Sequence, residues 1–248
     1  MTSQGRPLNV AVNVAANVAA NVAALGRTLV LAPHPDDETI GCGGLLALLG
    51  RAGVAVQVVL FSDGAGSHRQ SATYTAARLR ALRQQEMTAA LRALAHDAPC
   101  LEALGLPDGG IPAPGESGFD AVVERIGDIV RNFRPATVLM PTHDDEHPDH
   151  RATCAAGLAA CRTAAPDALC LEYPVWGGTA AGRQAWQVDI SAVVADKLRA
   201  LALHRSQLGL VVHDDAQGFM LPPALLARCA QPAETYFVAR GRPPDVCP

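Results

Sequence analysis

Two short segments hold residues that can bind a metal and move protons: Pro33-His34-Pro35-Asp36-Asp37-Glu38 and His147-Pro148-Asp149-His150. Each follows an apolar stretch that reads as a strand, Thr28–Ala32 and Ala136–Met140. Together they put two or three imidazoles and several carboxylates at the ends of neighbouring strands. That set suffices for one divalent metal and leaves a carboxylate and an imidazole for proton transfer. It points to metal-assisted hydrolysis.

Adjacent residues in a turning segment point in different directions. Asp36 and Asp37 therefore divide the work: one binds a metal and the other faces the attacking water. Pro33 and Pro35 restrict the backbone on either side of His34. His147 and His150 are three apart at the start of a helix, on one side of its first turn. The free N–H groups there favour negative charge nearby. A hydrolytic zinc site takes three protein ligands and keeps one position open. His34, Asp37 and His150 would supply two nitrogens and a carboxylate. Asp36 would take the proton of the water, and His147 would stabilise the oxyanion and protonate the departing amine. Asp149 would orient an imidazole from behind. A His/His/Asp set suits Zn2+ and equally Fe2+, Co2+ or Mn2+. Asp144, Asp145 and Glu146 read as a solvated acidic edge. His68, His96, His143 and His213 carry no spacing signal and read as surface or loop residues.

These segments need a scaffold, and the 248 residues, 49% apolar and 18% charged, are enough to bury the core of one α/β domain. A formal charge of −4 with no basic run gives no electrostatic ground for binding nucleic acid or anionic lipid. The seven cysteines are odd in number and form no C-x-x-C pair, which reads as buried thiols in a reducing compartment. Cys42 lies near the first segment, but no neighbour in sequence marks it as a nucleophile. No apolar run reaches the roughly 20 residues that span a bilayer. The N-terminus makes a poor secretory signal, so a cytoplasmic location is expected.

Residues 9–24 repeat Asn-Val-Ala-Val or Asn-Val-Ala-Ala every four residues, a period far shorter than that of a solenoid. Residues 1–26 are read as a low-complexity extension, either a docked helix or an unstructured repeat. Residues 27–248 are read as a single domain. Strand and helix patterns then alternate: strands at Val54–Phe61, Cys100–Leu104, Ala168–Tyr173, Gln187–Ile190 and Thr235–Ala239, and helices at Thr39–Ala52, Thr75–Ala95, Phe119–Phe133, Arg151–Ala164 and Ala192–His204. Such alternation implies parallel pairing through right-handed crossovers, with both sheet faces covered. Ligands in these sheets bind at the carboxyl ends of strands, where both segments sit.

At these residues the chain resembles the LmbE-like/PIG-L family of zinc-dependent N-deacetylases, whose marks are a His-Pro-Asp-Asp-Glu segment after the first strand and a later His-Pro-Asp-His segment. Weaker similarity continues at Asp63-Gly64, Arg83 to Glu86, Leu104 to Gly109, Lys197, His204 to Gln207 and Glu234 to Phe237. The resemblance implies a Rossmann-like three-layer α/β sandwich with a mostly parallel sheet and no dinucleotide. It implies His34, Asp37 and His150 as metal ligands, Asp36 as base and His147 as acid or oxyanion partner. The implied substrate is a small N-acyl amino sugar or glycoconjugate. Arg83 and Asp108 match positions where relatives touch sugar hydroxyls; without the resemblance they read as a surface helix Arg and a turn Asp. Asp145 stands where a thiol-cofactor branch of the family can carry Tyr, which leaves substrates in glycolipid, glycopeptide or natural-product assembly open.

Two other readings compete. Gly41-Cys42-Gly43-Gly44 after the first strand and Asp63 after the second imitate a nucleotide site, although the glycines do not form G-x-G-x-x-G. A non-catalytic sugar binder would keep the cleft but has no use for Asp36.

Overall fold

The structure, a computed structural model, describes residues 22–94, 100–177, 183 and 185–241. Most of the four-residue repeat, His96 and Cys247 lie outside the described residues. The last part of the repeat lies within them, and Val22 and Leu25 are buried in the core. The core thus recruits apolar residues from before position 27.

The elements run β1 (Thr28–Ala32), α1 (Asp37–Arg51), β2 (Val56–Ser62), α2 (Ala76–Leu94), β3 (Cys100–Leu106), α3 (Phe119–Phe133), β4 (Thr137–Pro141), α4 (Pro148–Ala164), β5 (Leu169–Tyr173), β6 (Ala185–Asp189), α5 (Val194–Leu201), a 3-10 turn (Arg205–Leu208), α6 (Pro223–Cys229) and β7 (Ala233–Arg240). The seven described strands form one sheet in the order β3-β2-β1-β4-β5-β7-β6. Pairs from β3 through β5 are parallel. β7 runs antiparallel between β5 and β6. The α/β expectation with a mostly parallel sheet is met.

Residue alternation builds three layers from this sheet. Val30, Ala32, Val58, Leu60, Leu139 and Leu171 face one way, against α1, α2, α5 and α6. Leu29, Leu31, Val59, Phe61, Val138, Met140 and Cys170 face the other way, against α3 and α4. Successive strand residues point to opposite faces, so strands buried on both faces read as the continuous apolar runs seen in the sequence. Each fully buried Leu, Val or Phe contributes about 1.5–3 kcal/mol. Among the described residues no helix is long and apolar enough to cross a membrane.

The strand order reverses between β1 and β4, which pair in register Leu29 with Val138 and Val30 with Leu139. Loops leaving their carboxyl ends diverge and open a crevice. The two chemistry-bearing segments are these loops.

Gly41, Gly43 and Gly44 lie inside α1 and form no phosphate loop. A Cβ on Gly41 would sit 2.1 Å from Tyr173 Cδ2, and one on Gly44 2.6 Å from Ile190 Cδ1. The glycines let the helix press onto its neighbours, which removes the basis of the nucleotide reading. Cys42 is fully buried and burial raises its thiol pKa, so it is an inert core residue.

Candidate active site

The first loop is tied down within itself. His34 N–H donates to Asp37 Oδ2 at 2.8 Å. Asp36 has φ +143°, a conformation that side-chain-bearing residues rarely adopt. Its carbonyl accepts from Thr39 N and Ile40 N, and its own N–H donates to the buried Glu38 Oε2 at 3.2 Å. Local strain of this kind persists only where the surroundings over-determine it. In the second loop His147 caps α4, and Pro148 takes the first helical position, where its missing N–H costs nothing. α4 thus starts three residues earlier than Arg151, so His150 is already helical.

The loops meet. His34 Nδ1 lies 3.1 Å from Asp37 Oδ2 and 3.3 Å from His150 Nε2, and His150 Nε2 lies 3.2 Å from Asp37 Oδ2. These three atoms form a nearly equilateral triangle. One face of a tetrahedral shell with bonds of 2.0–2.1 Å has edges of about 3.3 Å. The donor set therefore fits one small divalent cation. Burial disfavours ionisation of Asp37, but His150 and His34 overcome it and hold its carboxyl well below the usual range. Burial likewise opposes the imidazolium of His150, yet the Asp37 charge and the Asp145 contact raise it to about 9. The Asp37 carboxylate is clasped between the two rings, and a cation bound there would displace ring protons.

Each imidazole is oriented from behind. His34 Nε2 contacts Asp149 Oδ2 at 3.1 Å, and Asp149 also accepts from Gly109 N at 2.8 Å and Ile111 N at 3.3 Å. His150 Nδ1 lies 3.4 Å from Asp145 Oδ2. The acidic-edge reading is corrected at Asp145: it is 1% exposed, and it accepts from His147 N at 2.9 Å and Trp176 N at 3.1 Å. An Asp two residues before a helix cap folds its carboxylate back onto the backbone, and that was the signal available in sequence. His68 is also corrected. It is buried, packed against Gly218, whereas His143 and His213 are exposed as expected.

Two further sets of ligand atoms lie within 4.8 Å of one another: His34, His147 and His150, and His34, Asp108 and Asp149. The first would use His147, whose Nδ1 already accepts from Asp149 N at 3.2 Å. The second would use Asp149, which already accepts the two backbone N–H groups. The Asp37-centred triangle has all three of its edges at 3.1–3.3 Å.

Asp36 and His147 flank this triangle in the same cleft. Burial pushes the Asp36 carboxyl up to about 7, against the pull of Arg83, whose Nη2 is 3.2 Å away. Because His147 Nδ1 accepts a backbone N–H, its proton sits on Nε2. Burial and the neighbouring His34 and His150 lower its pKa, keeping the ring neutral and a donor. Arg83 is buried, not the surface residue its helix position allowed, and it donates to Pro35 O and Gly64 O at 2.9 Å each. Asp108 accepts from Gly66 N at 2.9 Å and approaches His34 Nε2 at 3.4 Å. Both line the cleft.

The cleft holds about 520 Å³, within the range of small-molecule sites. Its inner end is imidazole and carboxylate. Its walls include Trp176 and Phe219, which pack edge-to-face with centroids 5.6 Å apart. Neither aromatic carried a sequence signal, because they come from separate loops.

A Rossmann-like sheet with a His/Asp cluster at its switch point defines an α/β protein with a candidate metal centre. The chain matches the GlcNAc-PI de-N-acetylase (PIG-L) family over residues 29–161. It is 31% identical over 209 residues to the 2'-N-acetylparomamine deacetylase of Streptomyces fradiae, covering 73% of this chain and 74% of that one. It is 30% identical over 195 residues to the diacetylchitobiose deacetylase of Thermococcus kodakarensis, covering 73% and 70%. A crystal structure of a conserved protein from Thermus thermophilus superposes with TM-score 0.66 at 25% identity, covering 87% and 95%. The chain belongs to the PIG-L family and is a hydrolytic N-deacetylase.

Proposed function

We propose that this enzyme removes the N-acetyl group from an N-acetylglucosamine-like sugar joined to a further ring or small aglycone, using a zinc ion held by His34, Asp37 and His150. The observation that carries the reading is the triangle of ligand atoms at 3.1–3.3 Å, with Asp36 and His147 in the same cleft. Relatives named for the deacetylation of N-acetylparomamine and diacetylchitobiose support the substrate class. The bound metal would supply Lewis acidity and bring the pKa of water towards neutrality.

The chain's own residues do the rest. Asp36 takes the proton of the attacking water. His147 Nε2–H donates to the carbonyl oxygen as it gains charge. A neutral ring that gives its one proton to this bond has none to spare for the amine, so Asp36 returns its proton to the departing nitrogen. The C–N bond breaks, leaving acetate and a free amine. Arg83 fixes Asp36, and Arg83 and Asp108 meet sugar hydroxyls. The Trp176–Phe219 corner receives the aglycone ring.

The test is acetate release across N-acetylglucosamine glycosides. Turnover is expected to need added metal and to favour substrates with a second ring. Trp176→Ala is expected to raise KM for such a glycoside about tenfold, the loss of about 1.4 kcal/mol of ring contact, with kcat unchanged. No acetate from any N-acetyl sugar in metal-loaded protein would refute the reading. Asp145→Asn removes the charge behind His150 while keeping an acceptor. It is expected to weaken metal binding about 10–100-fold, read by competition with a chromophoric chelator.

A further inference from the structure

Helix α1 carries Asp37 in its first turn, and it is not continuous. At Cys42 the backbone leaves helical geometry, with φ −141° and ψ 19°. A break inside a helix leaves carbonyls without partners on one side and N–H groups on the other. In an unbroken helix the N–H of Gly44 would bond the carbonyl of Ile40. Here each is given a charged partner from far along the chain. Lys197 Nζ donates to Ile40 O at 2.9 Å. Glu234 Oε1 accepts from Gly44 N and Oε2 from Leu45 N, both at 2.8 Å. Lys197 Nζ and Glu234 Oε1 are 2.7 Å apart, and Tyr236 Oη donates to Glu234 Oε2 at 2.7 Å. The ion pair is thus a wedge set between the two halves of a helical hydrogen bond.

Lys197 is 3% exposed and Glu234 is 5% exposed. A buried ion pair is a poor device for stability alone, since apolar residues of similar volume usually serve as well. Neither residue lines the cleft. What the wedge controls is direction. The segment Asp37–Gly41 has its amino end fixed by the Asp36 and Glu38 bonds. Its carboxyl end is held by Lys197 and by Cys42 Sγ, which donates to Glu38 O at 3.2 Å. Without the wedge, α1 could straighten by re-forming the Ile40–Gly44 bond, and its first turn would swing away from His150. Gly43 has no side chain where a Cβ would come within 3.2 Å of Lys197 Cγ, which leaves room for the lysine stem.

We propose that Lys197 and Glu234 are positioning residues for the reaction. By holding α1 broken at Cys42, they aim the turn that carries Asp36 and Asp37 at the second loop. This rests on the reading that His34, Asp37 and His150 hold the metal.

The double variant Lys197→Met/Glu234→Leu replaces the pair with apolar side chains and frees α1 to straighten. Full-length protein is loaded with Co2+, whose visible absorption reports tetrahedral geometry. The double variant is expected to fold with Tm close to that of the unsubstituted protein and to bind Co2+ at least about tenfold more weakly. Its absorption is expected to change, and kcat to fall about 100-fold with KM within about threefold. Absorption, Co2+ affinity and kcat all equal to those of the unsubstituted protein would overturn the proposal. If the double variant does not fold, Glu234→Gln decides: it keeps the side chain's shape and one acceptor. Weaker Co2+ binding and lower kcat support positioning; a fall in Tm alone refutes it. If the unsubstituted protein gives neither tetrahedral Co2+ absorption nor acetate release, the metal-site reading itself falls, and the positioning role falls with it.

Discussion

Asp36→Asn is expected to lower kcat by 10³-fold or more while leaving metal affinity within about threefold. The substitution keeps the size of the side chain, its place beside Arg83 and its tolerance of positive φ. It removes only the capacity to accept a proton. A loss of 10³ corresponds to about 4 kcal/mol of transition-state stabilisation. KM should change little, because the carboxylate acts on the water and not on the ground-state sugar. Single-turnover acetate release measures the first quantity and chelator competition the second. Loss of the metal together with activity would contradict the division of labour between the adjacent carboxylates.

The placement of both segments at strand ends was legible in the sequence. The two segments follow apolar runs, and a short apolar run before a Pro-bounded turn has few readings other than a strand end. α3 was delimited at both ends, Phe119–Phe133, because Val122, Ile126, Ile129 and Val130 repeat at helical spacing. Shorter elements left weaker signals. α6 has seven residues and buries only Leu225 and Cys229, too few to show a period. The orientation of β7 was hidden too, since periodicity is the same for parallel and antiparallel strands. In the site, residue types and spacing singled out His34, Asp37 and His150, which the fold brings together. Asp145 was misread because its burial comes from Trp176 and His150 closing over it, contacts made only in the folded chain. Lys197 and Glu234 had a family likeness but no visible task until the break at Cys42 placed them beside it.

Asp37→Ala is expected to give the opposite pattern to Asp36→Asn. The unsubstituted protein should gain thermal stability when Zn2+ or Co2+ is added, by about 4 kcal/mol at a thousandfold excess over Kd. A chelator should remove that gain and turnover together. In Asp37→Ala two imidazoles remain 3.3 Å apart with no carboxylate between them. His34 keeps Asp108 and Asp149 and His150 keeps Asp145, but a two-nitrogen site grips a divalent ion far less well. The metal-dependent rise in Tm should vanish, and acetate release should fall to background. Stability without metal should also drop, by about 1–3 kcal/mol, because His34 N–H loses its acceptor. Thermal unfolding with and without Zn2+ measures both effects on one sample. A retained metal-dependent rise would move the cation to one of the two sets that omit Asp37: His34, His147 and His150, or His34, Asp108 and Asp149. Asp37 would then be a loop anchor. The two variants therefore test one geometric claim from opposite sides: neighbours in sequence, one carboxylate must hold the ion and the other must not.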